Sequence, residues 1–278
     1  MTPALFKDTL REIRCSLSRF LSIFAIIALG VGFFAGVRAT GKDMRLTADD
    51  YFTRNKLADV RVVSTLGLSE GDLDALRELL GVAGVAPGKY VDAVAQSQDN
   101  LLVRLFSLPS LSQDHPDRLN LPRLLEGRLP QKADECLLDA NLTTGLGGAF
   151  SLGERISFLA GKPDEPLSDS LSRVEYTIVG VMESPLYIDR TQRGSTNIGS
   201  GTLNGYVYLP EENFTADYYS EVYLSYQPAR QYAAYTDAYD GSVDLLEEAL
   251  EHVEAVRAPL RLEEIRAEAQ EKLDDAQA

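Results

Sequence analysis

The chain has 278 residues, a formal net charge of −15 and 25% charged residues, which is enough length for one large or two small domains. A surface this acidic repels nucleic acid, and the sequence has no basic patch with interleaved aromatic residues, so DNA and RNA binding are excluded. The two cysteines and two histidines show no CxxC or HxxxH spacing, so neither a disulfide framework nor a zinc site is indicated.

Residues 1–19 form a basic N-terminal segment. They carry a net charge of +2, which leaves −17 on the rest of the chain. We expect a cytoplasmic amphipathic helix here, which either lies along the membrane headgroups or extends the following segment into water. Its apolar stripe consists of Leu5, Leu10, Ile13 and Leu17.

Residues 20–37 are an uncharged run of eighteen residues between Arg19 and Arg38. As a helix rising about 1.5 Å per residue, the run is roughly 27 Å long, close to the thickness of the hydrocarbon core of a bilayer. Eleven of its residues are Leu, Ile, Val or Phe, and these favour membrane insertion. The sequence therefore predicts a transmembrane helix over residues 20–37.

Three other interpretations of this run are weaker. A cleaved signal usually has a shorter apolar region and small residues at the cleavage site, whereas this run ends at Val37 and Arg38. A buried helix of a soluble protein is usually shorter and carries some polar residues. The segment Gly30–Ala35 matches G-x-G-x-x-A, but a dinucleotide-binding loop must follow a strand and open a helix.

Gly32 and Gly36 have the small-residue spacing that lets two membrane helices approach closely, so we predict them as helix-packing residues. The alternative is that lipid merely tolerates these glycines. The short basic tail and the long acidic remainder together favour an N-terminus in the cytoplasm and the bulk of the chain outside, because long domains translocate largely regardless of charge. The expected location is the plasma membrane, with a single pass in this chain.

Residues 38–240 are predicted to form an extracytoplasmic α+β domain. A helix is expected over residues 43–54, and another over 69–80 with Ser69 and Asp72 as its capping box. Strands interspersed irregularly with a few helices favour α+β over a doubly wound sheet. The predicted strands cover residues 59–65, 100–108, 134–139, 155–159, 173–181, 206–209 and 221–226.

Residues 241–278 are predicted to be helical and to begin a coiled coil. A first helix is expected over residues 242–257, an interruption at Pro259, and a second helix over 261–278. The second has an apolar stripe whose partner we expect from a continuation of the sequence or from another chain: Leu262, Ile265, Ala269, Leu273 and Ala276.

The sequence predicts no catalytic residue, cofactor site or metal site, so we expect a protein that is not an enzyme. There is no G-x-S-x-G motif, and Ser195 would need His115 or His252 as a base. Asp134, Glu135 and Asp139 lie close together in the sequence, so a glycosidase-like pair of acidic residues is not excluded by counting carboxylates. In so acidic a domain, however, carboxylates are usually solvated.

An ordered set of segments resembles the FtsX-like, MacB-type permease subunits of ABC transporters. Residues from Arg14 onward resemble the first membrane helix of that family, and Leu124–Asp139 resembles a GR-x-P…E-hydrophobic segment of its extracytoplasmic core. Ser151–Phe158 resembles its G-[DE]-x-[IV] strand, and Tyr176–Ile188 its hydrophobic-V-G-[IV] strand. The Tyr-rich segment and helical tail are similar to the Gram-positive variant with a coiled-coil insertion.

The resemblance implies a permease that couples ATP hydrolysis by a separate cytoplasmic ABC ATPase to movement of an extracytoplasmic domain, for export, lipid handling or control of the cell envelope. The family has three further spans, which are missing here, so we expect a fragment of a longer permease or a chain that needs a second permease copy. No P-loop occurs, as expected for a permease. Extracellular proteins or lipids are possible partners, and the alternative function is a single-pass sensor or adaptor that binds a ligand.

Overall fold

The computed structural model of the protein describes residues 7, 11–109, 112, 114–145, 149–189 and 193–277. The chain forms two compact units, Met1–Asp50 and Tyr51–Ala278. Residues 1–6 and 8–10 of the predicted N-terminal amphipathic helix lie outside the described residues. The second unit contains all the strands described below.

The first long helix, α1, spans Leu17–Arg54, and the predicted transmembrane run lies within it. In the described part of the chain, α1 is the one helix that is long and apolar enough to cross a membrane. The helix predicted over residues 43–54 is present, and it continues from the apolar run without a break. Gly41 is the weakest helix former between them, and one glycine costs only about 1 kcal/mol relative to alanine.

Among the residues that the structure describes, the second unit contains ten strands and two further α-helices. The strands are β1 Val60–Leu68, β2 Val82–Gly88, β3 Tyr90–Ala95, β4 Leu101–Leu108, β5 Arg123–Gly127, β6 Glu135–Asp139, β7 Arg155–Ala160, β8 Glu175–Glu183, β9 Gly205–Pro210 and β10 Tyr219–Tyr226. The helices are α2, Glu70–Arg77, and α3, Asp237–Gln277. The α+β fold class is confirmed.

One sheet has three antiparallel strands in the order β1-β10-β2. The helix α2 begins as predicted, because the Asp72 carboxylate accepts a hydrogen bond from the Ser69 backbone N–H at 2.7 Å. Helices α2 and α3 bury one face of this sheet. The apolar core between them includes Leu73, Leu76, Val222, Leu224, Leu250 and Val253.

The other strands form a sheet in the order β5-β8-β6-β9-β4-β3-β7, in which β7 also pairs with β8. Residues 175–177 of β8 pair with β7, and residues 180–183 of β8 pair with β5. The pairing of β7 with β8 closes six strands into a barrel, and β5 is attached at its side. Closure buries a core inside the barrel that includes Val103, Leu105, Cys136, Leu138, Ile156, Phe158, Tyr176, Ile178 and Val207.

The helix α3 is continuous over Asp237–Gln277, so the predicted interruption at Pro259 was wrong. Proline removes one backbone hydrogen bond from the helix. Here ion pairs bridge the site: Arg257 Nη2 lies 3.2 Å from Glu264 Oε1, on the other side of Pro259. Arg257 also contacts Asp72 at 2.7 Å, which fixes this part of α3 to α2.

Candidate functional site

The chain leaves α1 through a short segment that is fixed to several distant parts of the second unit. We call this site the Asp59 junction. It consists of Asn55–Asp59, Asn120, Leu121, Tyr226, Arg230 and Tyr239. All these residues belong to the unit Tyr51–Ala278.

The end of α1 is sharply defined. Leu57 N–H donates to Phe52 O at 2.9 Å and Lys56 N–H donates to Thr53 O at 3.2 Å, which is the hydrogen-bond pattern of a Schellman motif. Lys56 occupies the left-handed position of this motif with φ of 48°. A residue with a Cβ is disfavoured there relative to glycine, so surrounding contacts must hold the turn.

Asn120 provides such contacts from a distant loop. Its backbone N–H donates to Lys56 O at 2.9 Å, and its side-chain Oδ1 accepts from Ala58 N–H at 2.9 Å. Leu121 N–H donates to Asn55 O at 3.0 Å. Asn120 is buried and itself has φ of 54°, a conformation that asparagine adopts more readily than most residues. The loop before β5 is therefore hydrogen-bonded to the chain directly after α1.

The carboxylate of Asp59 joins three further segments. Its Oδ2 atom accepts hydrogen bonds from the Tyr226 backbone N–H at 2.7 Å and from Arg230 Nε at 3.3 Å. Its Oδ1 atom accepts a hydrogen bond from the Tyr239 hydroxyl at 2.9 Å. The side chain of Asp59 is only 7% exposed. Hydrogen bonds to a charged group are among the stronger ones, so this carboxylate ties the exit of α1 to β10 and to the first turn of α3.

Aromatic contacts support the same connection. Burial raises the pKa of the Tyr239 hydroxyl, and the charge of Asp59 raises it further, so Tyr239 remains a hydrogen-bond donor at neutral pH. The rings of Phe52 and Tyr235 lie 5.9 Å apart between centroids. The last turn of α1 thus contacts the segment that leads into α3.

Strand β10 continues the connection toward the barrel. Its buried Glu221 accepts from Arg61 Nε at 2.8 Å on β1 and from the Tyr223 hydroxyl at 2.9 Å. Ser220 Oγ accepts from the backbone N–H of Tyr90, the first residue of β3, at 3.2 Å. The junction, the three-stranded sheet and the barrel are therefore linked by hydrogen bonds through one strand.

The predicted packing residues Gly32 and Gly36 lie on α1 and belong to the first unit. A Cβ added at either position would meet no atom within 4 Å. Both positions thus leave room for another helix, and their role in packing stays a prediction.

Two of the three close carboxylates are each paired with an arginine. Glu135 binds Arg128 through two hydrogen bonds of 2.6 and 2.7 Å, which lower its pKa to about 2. Asp139 is buried with Arg193, whose Nε donates to Oδ2 at 2.7 Å; burial nevertheless raises the pKa of Asp139. Asp134 uses its backbone carbonyl to accept from Thr177 N–H at 2.8 Å.

The other residues considered for catalysis have structural partners. Ser195 pairs with Thr202 across its loop, and its carbonyl accepts from Arg104 at 3.2 Å. His115 lies 3.8 Å from Asp117, and His252 contacts the carbonyl of Glu248 at 2.8 Å. Among the described residues, no group of three or more His, Cys, Asp or Glu side chains could hold a metal ion.

Sequence reasoning did not find the Asp59 junction. An aspartate at the start of a predicted strand does not by itself indicate a junction, because its hydrogen-bond partners lie at the distant positions 226, 230 and 239. Only the strand order β1-β10 brings these positions to Asp59.

The barrel, the three-stranded sheet and one helix long and apolar enough to cross a membrane define an α+β protein with a candidate membrane span. Residues 20–263 match the family of MacB-like periplasmic core domains, and the chain belongs to this family. It is thus an FtsX/MacB-like ABC transporter permease protein by family.

Among solved structures, the extracellular domain of the noncanonic ABC-type transporter YknZ from Gram-positive bacteria is 15% identical, covering 59% of this chain and 75% of that one, with a TM-score of 0.36. The periplasmic region of MacB from Actinobacillus actinomycetemcomitans is 13% identical, covering 68% and 75%, with a TM-score of 0.35. No match was found among curated proteins.

Proposed function

We propose that the chain is a permease subunit in which α1 receives movement from a separate cytoplasmic ABC ATPase and the Asp59 junction passes it to the extracytoplasmic domain. The N-terminus is cytoplasmic and the unit Tyr51–Ala278 is outside, as the short basic tail and long acidic remainder favour. The chain transmits force and performs no catalysis itself. The remaining spans come from further permease segments or a second permease copy.

The observation that carries this proposal is the shared carboxylate of Asp59. A domain that is merely tethered to a membrane needs no fixed connection, and a flexible linker would serve. Here α1 ends in a defined turn, and within five residues the chain is bonded to the loop before β5, to β10 and to α3. Such contiguous contacts suit the transfer of a helix displacement to a rigid domain.

Affinity purification of the full chain from membranes of its source cell tests the assignment. We expect an ATP-hydrolysing ABC subunit to copurify, and we expect its recovery to fall at least tenfold when residues 1–19 are removed. Removal of residues 270–277, of which 270–275 are exposed, is the matched control and should leave recovery unchanged. Recovery of a signalling protein without an ATPase would contradict the proposal and favour a sensor or adaptor.

A further inference from the structure

Strand β1 lies at the edge of the three-stranded sheet. Among the described residues it pairs with β10 alone, so the backbone groups along its other edge have no partner strand there. The first part of β1, Val60–Val63, pairs with β10 in a regular register, and the irregularity follows between Val63 and Leu68. A regular edge strand is a template to which another extended segment can add.

A groove of about 600 Å³ lies along this edge, between β1 and α3. All nine residues of Val60–Leu68 line it. Side chains of a strand alternate between its two faces, so a space confined to one face would be lined by every second residue. Lining by consecutive residues indicates that the groove borders the edge of the strand itself. Three of these residues, Val63, Thr65 and Leu66, are exposed, so the groove is open to solvent.

The wall of the groove opposite β1 is acidic. Glu247, Glu251 and Glu254 of α3 line it at a spacing of four and three residues, which places them on one side of the helix. All three are exposed, and none forms an ion pair with another residue in the described part of the chain. The half-buried Leu250 and Val253 line the groove beside them.

The positive charges of the groove are already paired. Each of its three arginines contacts a carboxylate: Arg61 contacts Glu221 at 2.8 Å, Arg257 contacts Asp72 at 2.7 Å and Arg261 contacts Glu264 at 3.1 Å. The charge left without a partner on the walls is therefore that of the three glutamates, and it favours a cationic ligand.

We propose that this groove binds an extended cationic segment of another protein, which adds as a strand to the edge of β1 and alternates Lys or Arg with β-branched residues. On the α3 side, the long stems of Lys or Arg cover Leu250 and Val253 while their charged ends reach the glutamates. Val60 and Val62 pack toward α2 and α3, so Val63 lies on the opposite face.

The exposure of Val63 explains the second half of the alternation. Its side chain is 59% exposed, and a β-branched residue of an added strand would cover it as a cross-strand neighbour. The charge of −17 on the chain after residue 19 favours a partner of the same positive sign. This inference does not depend on coupling to an ATPase.

Fluorescence anisotropy with the full chain in non-ionic detergent tests the proposal. The probe is the peptide Lys-Val-Lys-Val-Lys-Val-Lys carrying a neutral dye, and we expect saturable binding. The peptide with Glu in place of every Lys should bind at least tenfold more weakly. The basic peptide with its five internal backbone nitrogens methylated keeps its charge but cannot donate to β1, and it should also bind at least tenfold more weakly.

Variants of α3 test the acidic wall. The triple variant E247Q/E251Q/E254Q should weaken binding of the basic peptide about tenfold, because each exposed ion pair contributes a factor of about two to three. The control E248Q/E263Q/E271Q removes the same charge from exposed positions of α3 that do not line the groove. It should change the affinity less than twofold.

Hydrogen exchange of the same complex locates the peptide. At saturating peptide, exchange of amides in Val60–Val63 should slow, and exchange in the exposed strand β5 should not change. Failure of the basic peptide to bind would overturn the proposal, as would equal weakening by the two triple variants. Undiminished binding of the methylated peptide, or unchanged exchange in β1, would show attraction by charge without strand addition and would also overturn it.

Discussion

The hydroxyl of Tyr239 donates a hydrogen bond to Oδ1 of Asp59 at 2.9 Å, joining residues that are 180 positions apart. Asp59 lies five residues after the end of α1, and Tyr239 lies in the first turn of α3. The same carboxylate holds Tyr226 at the end of β10. One side chain therefore connects the exit of the membrane-length helix to the sheet and to the helix that covers it.

Replacing either partner of this bond should destabilise the second unit. We expect D59N to lower the free energy of unfolding by about 2–3 kcal/mol, because the neutral amide has one acceptor oxygen instead of two and loses the charge that strengthens the bonds to Tyr226 N–H and Arg230. We expect Y239F to lower the free energy of unfolding by about 1–2 kcal/mol. The loss in the double variant should be smaller than the sum of the two single losses by about 1 kcal/mol. Urea unfolding of the full chain in detergent measures all three.

Two control variants show how much the same substitutions change stability at exposed positions. Y232F removes a hydroxyl from a tyrosine that is 47% exposed, and D244N changes an exposed aspartate of α3. Each should alter the free energy of unfolding by no more than about 0.5 kcal/mol. Strict additivity of D59N and Y239F would show that the two residues do not act together.

Lys56 holds a left-handed conformation at the end of α1, so K56G should stabilise the protein. We expect a gain of about 0.5–1 kcal/mol, since relief of the Cβ clash exceeds the extra entropy of glycine in the unfolded chain. K56A is the matched control, because alanine keeps the Cβ and should give no gain. A lower unfolding midpoint for K56G than for K56A would contradict the reported turn.

The ion pair of Arg193 and Asp139 is buried, with side chains 4% and 0% exposed. R193M should lower the free energy of unfolding by about 3–5 kcal/mol, because it leaves the Asp139 carboxylate buried without a charge partner. The double variant D139L/R193M should be more stable than R193M alone, because it removes both charges. R123Q breaks a pair in which the arginine is 64% exposed, and should cost only about 0–1 kcal/mol. Urea midpoints rank the four proteins.

Glu135 predicts a component of acid sensitivity. Its pKa is lowered to about 2 by Arg128 and by the N–H of Gln131, so the folded state favours the charged form. The stabilisation is present above the ordinary pKa of about 4.3 and is lost as the pH falls through about 2. The stability difference between wild type and E135Q should therefore shrink between pH 5 and pH 2. E126Q, at an exposed glutamate of β5, should show no such trend.

Local patterns predicted the parts of the fold that depend on local sequence. The apolar run of α1, the Ser69–Asp72 cap and the alternating residues of β8 all carry their signal within a few positions. Strand β2 was missed because Gly84, Pro87 and Gly88 give it the composition of a turn. Strand β5 was missed because it is exposed on both faces and has no alternation.

The candidate site could not be predicted because it depends on pairing between distant segments. Asp59 reaches Tyr226 only because β1 lies antiparallel to β10, and it reaches Tyr239 only because α3 packs beside that sheet. Closure of the barrel likewise depends on β8 changing its neighbour from β7 to β5 along its length. No single window of sequence contains these relationships.

Hydrogen exchange of the full chain in complex with the proposed ABC ATPase tests the coupling most directly, by comparison of the nucleotide-free and vanadate-trapped states. We expect trapping to change the exchange of amides in β10 and in the first turn of α3 in the wild type. In D59N the same amides should no longer respond, although the ATPase still copurifies and hydrolyses ATP. An identical response in wild type and D59N, or no response of these amides in the wild type, would contradict transmission through the Asp59 junction.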